Sequence, residues 1–268
     1  MAGLNAPSRW RHGAGWLLTG AALLILYVPL VPPFLLSLAP AEAAVGVSWR
    51  AYAEIWRNPI LVDAILVSAE VGVAVAIIAT VLGLLAAMAV RELKVPRLVL
   101  AIMLLPLFIP GVSMGLATAF FFRQLGIAPS LTTIVAVQVL WALPFASVVI
   151  LTVMAGFDPI YVEAAYMSGA SRLRAFRDVE LPLILPGIGG AATFSLILSF
   201  NETIRTAAVQ GPYNTVQTYI WSTYRQVGLS PPLYALMSLM IALTIVLVVV
   251  FLRAERKPAG QTVNPPAR

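Results

Sequence analysis

Six runs of mostly apolar residues, separated by short polar stretches, organise the chain: near Trp16 to Leu38, Ala64 to Val90, Leu98 to Phe122, Leu131 to Ala155, Gly187 to Ile204 and Leu233 to Leu252. Each meets or approaches the roughly 20 residues a helix needs to cross a bilayer. The pattern therefore predicts an all-α, polytopic membrane protein of six transmembrane helices, and an even number places both ends on one side. The first run also has a rival reading. Arg9 and Arg11 ahead of it and the Ala-rich Pro40–Ala44 behind it resemble a secretory signal, but the run exceeds the usual signal core and its removal would leave an odd number of spans. Pro106, Pro110 and Pro144 should bend the third and fourth spans, either to line a cavity or for packing alone.

Charge gives the orientation. Twelve Lys and Arg residues, among them Arg91, Lys94, Arg97, Arg172, Arg174 and Arg177, fall on the side of the termini, whereas Arg50, Arg57, Arg123, Arg205 and Arg225 are the five on the other. By the positive-inside rule the termini should be cytoplasmic. The expected organisation is a tail over 1–15, one membrane domain over 16–252 with a cytoplasmic loop near 156–186, and a second tail over 253–268. Trp10, Trp16, Trp49, Trp56 and Trp221 fit aromatic belts.

Composition agrees with this reading: 60% of residues are hydrophobic and 10% charged, against roughly 25% charged in a soluble domain. The net charge of +6 would fit a nucleic-acid partner only if the basic residues formed a face, and they lie between the apolar runs. No cysteine is present, which removes disulfides, thiolate metal sites and cysteine nucleophiles. Gly111-Val-Ser113-Met-Gly115 has the spacing of a hydrolase elbow, but it falls inside an apolar run. The sole histidine, His12, and the two lysines, Lys94 and Lys257, lie far from it. A small-xxx-small face for a neighbouring helix is the other reading. With no phosphate-binding loop, zinc motif or spaced acidic cluster, no catalytic or metal site and no cofactor is expected in this chain.

The most informative stretch follows the fourth run. Asp158 is a helix cap with Pro159 behind it, Glu163, Ala164, Ala165 and Met167 favour helix, and Gly169 suits the left-handed end. Ser171 should cap a second short helix, stopped by Leu181-Pro182. Exposed Ile160, Tyr161 and Met167 beside small alanines suit insertion into a partner's groove or a helix lying on the membrane surface.

Glu163-Ala164-Ala165, Gly169 after three intervening residues, and Val179-Glu180-Leu181-Pro182 after nine more resemble the EAA motif of the permeases of binding-protein-dependent ABC importers, with Val179 where that pattern has Ile. The resemblance extends over nearly the whole chain and implies the type I importer permease fold. It implies a subunit without catalysis that works beside a second permease, in a different chain or a copy. On the same resemblance a periplasmic or lipid-anchored substrate-binding protein would lie above, membrane lipid would surround the spans, and a cytoplasmic ATPase dimer below would hold the ATP and Mg. Carried over by position, Glu163, Ala164, Ala165, Gly169, Leu181 and Pro182 would form the coupling contact.

Thr218-Tyr219-Ile220-Trp221-Ser222, with Arg225, Gly228, Ser230-Pro231 and Ala235-Leu236 after it, is similar to the second permease of spermidine/putrescine importers. The chain departs from that group at Gly111, where an acid is expected. Iron(III), thiamine and phosphonate importers are neighbouring alternatives. Ionisable residues in spans usually face a cavity or a partner, so Glu70 and Glu202 are candidates for a cation path, with polar Asn201 beside Glu202 and Trp141 within the fourth span; Glu70 could instead be interfacial and solvated, and Trp141 could serve helix packing. Glu202 could instead simply pair with Arg205. A secondary transporter or channel is the alternative class, and the absence of an internal repeat counts against the former.

Overall fold

The computed structural model describes residues 9–39, 46–93 and 96–255, and those residues are helical or in short turns, with no strand among them. Lys94, Arg256, Lys257, Arg268 and the Pro40–Ala44 segment lie outside them. Thirteen α-helices follow one another among the described residues: α1 (Arg9–Tyr27), α2 (Val31–Ser37), α3 (Arg50–Arg57), α4 (Pro59–Glu92), α5 (Pro96–Leu104), α6 (Gly111–Gln124), α7 (Leu131–Ala155), α8 (Ile160–Met167), α9 (Arg172–Ala175), α10 (Leu181–Phe200), α11 (Ile204–Val209), α12 (Val216–Gln226) and α13 (Pro231–Glu255). α1 is already helical at Arg9, ahead of the apolar stretch that begins at Gly15.

Five stretches are long and apolar enough to span a membrane by themselves: Gly15–Ser37, Pro59–Glu92, Leu131–Ala155, Arg172–Phe200 and Pro231–Arg253. The third expected span is not one helix. It is a pair, Pro96–Phe108 and Gly111–Gln124, bent by 102°. The cause is local: Pro110 forces Ile109 into extended backbone at ψ 124°, and the chain restarts as a helix only at Gly111. The continuous helix that carries the fifth span starts well before Gly187, at Arg172, because α9 and a π-helical turn run into it.

α4, α7 and α10 form the centre of the bundle and pack most extensively against one another. The core runs along α4 in three layers. Leu61 and Ala64 meet Ile55, Val216 and Leu236 at one end; Val71, Val75 and Ala79 meet Ile134 and Val137 in the middle; Ala87 meets Ala146, Ile150 and Ile184 at the other. Small residues set the spacing. A methyl group on Gly83 would lie 3.0 Å from Ala146 Cβ, and one on Gly187 2.7 Å from a Val153 methyl, so these helix pairs approach nearly backbone to backbone, the usual means of association where lipid removes the hydrophobic drive.

Buried polar bonds pin the same contacts. Gln138 on α7 donates to Thr206 at 2.8 Å and accepts from Ser199, while Tyr52 bridges Ser37 and Ser238 at 2.8 Å each. The outward faces carry Leu, Ile, Val and Phe in the open, as a lipid-facing surface requires.

Candidate functional site

The segment between α7 and α10 is a compact two-helix knob built as its residues dictate. Asp158 accepts the Ile160 N–H at 3.0 Å, which holds the entry to α8. At its exit Gly169 takes φ +82°. The Gly169 N–H donates to Tyr166 O at 2.9 Å and that of Ala170 to Ala165 O at 3.0 Å, the paired bonds that close a helix on a left-handed residue. Ser171 then caps α9 by accepting the Arg174 N–H at 3.4 Å.

Ile160, Glu163, Ala164 and Met167 recur at helical spacing on α8 and are all exposed, Met167 at 89%. Ala165 on the other side is half-buried, and Val162 and Tyr166 line a cavity against the end of α4. The result is an apolar ridge carrying one carboxylate, and Glu163 has no ion-pair partner among the described residues.

Leu181 and Pro182 lie elsewhere. The expected stop there does not occur: α9 runs through a π-helical turn, Phe176–Glu180, directly into α10. Pro182 has no N–H to return to Asp178, and the chain widens so that Leu181 N–H reaches Phe176 O. Leu181-Pro182 thus forms the joint between knob and fifth span.

Sequence reasoning did not foresee what lies beside that joint. Glu180 is buried and pairs with Arg91 at the end of α4, with Nη2 to Oε2 at 3.3 Å. Arg91 also donates to Glu92 from Nε at 3.2 Å and Nη2 at 3.1 Å, and Glu92 in turn pairs with Arg172. In the sequence these arginines register as orientation charges. The one available sign was an acid, Glu180, immediately before the apolar run.

The four candidate path residues do not converge. Trp141 and Glu202 do meet, through Arg205: its guanidinium stacks 3.8 Å over the Trp141 ring, and its Nη1 donates to Glu202 Oε2 at 2.6 Å. Glu202 Oε1 also accepts the Arg205 N–H at 2.8 Å, so both carboxylate oxygens are engaged. The pair is largely buried, with side chains 11% and 6% exposed. Gly111 and Gly115 receive this group, since methyl groups there would lie 3.3 Å from the guanidinium and 3.1 Å from Arg205 Cα. Their spacing is therefore a helix-packing face against α11. Glu70 is exposed in a separate groove of about 620 Å³ with Asp63, Tyr213 and Asn214. Asn201 borders a third cavity with Gln217 and Thr244, its amide held by Ile197 O at 2.8 Å. No grouping of His, Asp and Glu fit to hold a metal ion occurs among the described residues.

Residues 79–257 match the family of binding-protein-dependent transport system inner membrane components. The spermidine/putrescine transport system permease protein PotC of Escherichia coli (strain K12) is 27% identical over 259 residues, 92% of this chain and 98% of the relative. The trehalose transport system permease protein SugB of Mycobacterium tuberculosis (strain CDC 1551 / Oshkosh) is 32% identical over 200 residues, 70% of each chain. Among solved structures, a bacterial ABC transporter involved in the import of the acidic polysaccharide alginate superposes with a TM-score of 0.68 at 20% identity, over 92% of this chain and 94% of that one, which establishes the fold. The chain belongs to the binding-protein-dependent transport system inner membrane components, and is a multi-pass permease subunit of an ABC importer and not an enzyme.

Proposed function

We propose that this permease imports a polyamine, putrescine or spermidine, and is driven by a separate cytoplasmic ATPase that seats the α8–α9 knob in a cleft. The near full-length match to PotC, 98% of that protein, carries the substrate reading. The exposed ridge of Ile160, Glu163, Ala164 and Met167 supports the docking reading. An apolar strip on a short rigid helix, closed by Gly169 at one end and Asp158 at the other, suits a groove, and Glu163 offers a single charge to fix its register.

On a count of six spans, the knob and the termini fall on the side that carries twelve of the seventeen basic residues, which supports a cytoplasmic placement for both. A second permease completes the pore, and a periplasmic or lipid-anchored binding protein delivers the solute from the opposite side. This chain supplies the passage and the lever; binding and hydrolysis of ATP belong to the partner.

The test is uptake of radiolabelled putrescine or spermidine into proteoliposomes containing this chain, its partner permease, ATPase and binding protein, with and without ATP. ATP-dependent accumulation supports both readings. Binding-protein-stimulated ATP hydrolysis with labelled trehalose accumulated in place of polyamine retains the importer and refutes the polyamine. Gly169→Asp or Glu163→Lys should abolish uptake while the chain still inserts, and normal uptake by either refutes the docking role.

A further inference from the structure

The knob is joined to the bundle covalently at both ends and by contact at a third place. It enters from α7 through the short turn over residues 156–159 and leaves through the π-helical turn Phe176–Glu180 into α10. A π turn followed by proline lacks the regular hydrogen-bond ladder and is where helices bend, so it transmits displacement poorly. The third place is the end of α4. Packing is sparse there, because a cavity of about 570 Å³ lined in part by Met88, Met154, Phe157 and Phe176 separates the knob from α4.

Charges bridge that gap. Glu180, 5% exposed, places both oxygens on the Arg91 guanidinium. Arg91 holds Glu92, and Glu92 holds Arg172 at the first residue of α9. Two cations and two anions alternate across three elements. The fork of Arg91 fixes direction as well as distance, which a lysine could not do.

We infer that Glu180, through Arg91, is a positioning residue that clasps the coupling knob to α4, so that a displacement of the knob is delivered to the α4–α7–α10 core and is not absorbed at the π-helical joint. The inference rests on the docking role proposed above for α8. Glu180 is buried, so its carboxylate is not offered to a partner's surface. It acts by holding the angle between the lever and the longest helix of the bundle.

Glu180→Gln removes the charge at nearly constant shape. In proteoliposomes holding the full complex, the ATPase should remain bound, while stimulation of ATP hydrolysis by the binding protein falls about tenfold, the size of effect that loss of a coupling element produces. A general loss of structure would lower ATPase retention and stimulation together. The swapped pair Arg91→Glu with Glu180→Arg should regain most of the stimulation, because the attraction, and not either side chain alone, forms the clasp. Wild-type stimulation in Glu180→Gln overturns the inference. If Glu180→Gln does not assemble, the swapped pair is measured alone, and failure to assemble or to be stimulated overturns the inference equally. Gly169→Asp measured in parallel separates the two readings. If it retains the ATPase and full stimulation, the docking role falls; if only Glu180→Gln behaves as wild type, the clasp alone falls.

Discussion

Replacing Gly169 isolates what the backbone contributes to docking, because the residue has φ +82° and open space where a side chain would point. No contact is lost or created by adding a Cβ, so the cost is conformational. Left-handed backbone costs an L-residue on the order of 1–2 kcal/mol, and 1.4 kcal/mol is a factor of about ten in an equilibrium constant. Gly169→Ala should therefore depopulate the closed end of α8, with its Tyr166 and Ala165 carbonyl bonds, by about five- to thirtyfold, and weaken ATPase association by up to the same factor. Asn tolerates the left-handed region and should cost less; Val, stiff and branched at Cβ, should cost more. The expected order of affinity is Gly, Asn, Ala, Val, with the melting temperature of the purified permease unchanged because the bundle core is untouched. Titration of the ATPase onto permease in nanodiscs reads this order directly. Equal affinity across the series, or Val binding as tightly as Asn, would show that α8 docks without its left-handed end and would refute the reasoning.

Gly187→Leu should destabilise the bundle itself, since its Cβ would already lie 2.7 Å from a Val153 methyl. A cost of about 1–3 kcal/mol from overpacking would be seen as a lower melting temperature in detergent. Arg205→Ala would strand the buried Glu202 carboxylate, and loss of a partner from such a pair costs about 3–5 kcal/mol. Poor recovery of folded protein is expected, with the double variant Arg205→Ala and Glu202→Ala recovering better than the single one. Glu202→Gln keeps the shape of the pair and tests a path role: polyamine uptake unchanged in affinity and rate removes Glu202 from the route. Arg50→Ala breaks a pair whose arginine is 72% exposed, so a loss below about 1 kcal/mol, within scatter of the wild-type melting curve, is expected.

The sequence made legible what depends on neighbours along the chain. Apolar runs located the spans because a bilayer admits few alternatives to helix, and Asp158, Gly169 and Ser171 announced the knob because caps and left-handed turns have narrow residue preferences. One expectation failed where one local rule met another: Leu181-Pro182 does not stop the helix, because proline is tolerated in a first helical turn and a π turn upstream absorbs its missing donor. Pro110 bends the third run as its residue type requires, and only the size of the bend, 102°, lay beyond the sequence.

What stayed illegible depends on pairs distant in sequence. Glu180 meets Arg91 across 89 positions, and Trp141 meets Arg205 from a different helix. Topology prediction counts an arginine at a membrane boundary for its sign alone, whereas the same guanidinium, once folded, can serve as the bridge between two helices. Arg91 does both, and the two roles have different experimental signatures. Its charge should influence insertion whatever Glu180 is, while the part of its effect on the lever that runs through Glu180 should vanish when Glu180 is neutral. An Arg91→Gln substitution made in the Glu180→Gln background should thus lower binding-protein-stimulated hydrolysis less than the same substitution does in the wild type, because the Glu180 bond is already gone and only the Arg91–Glu92 contact remains to lose.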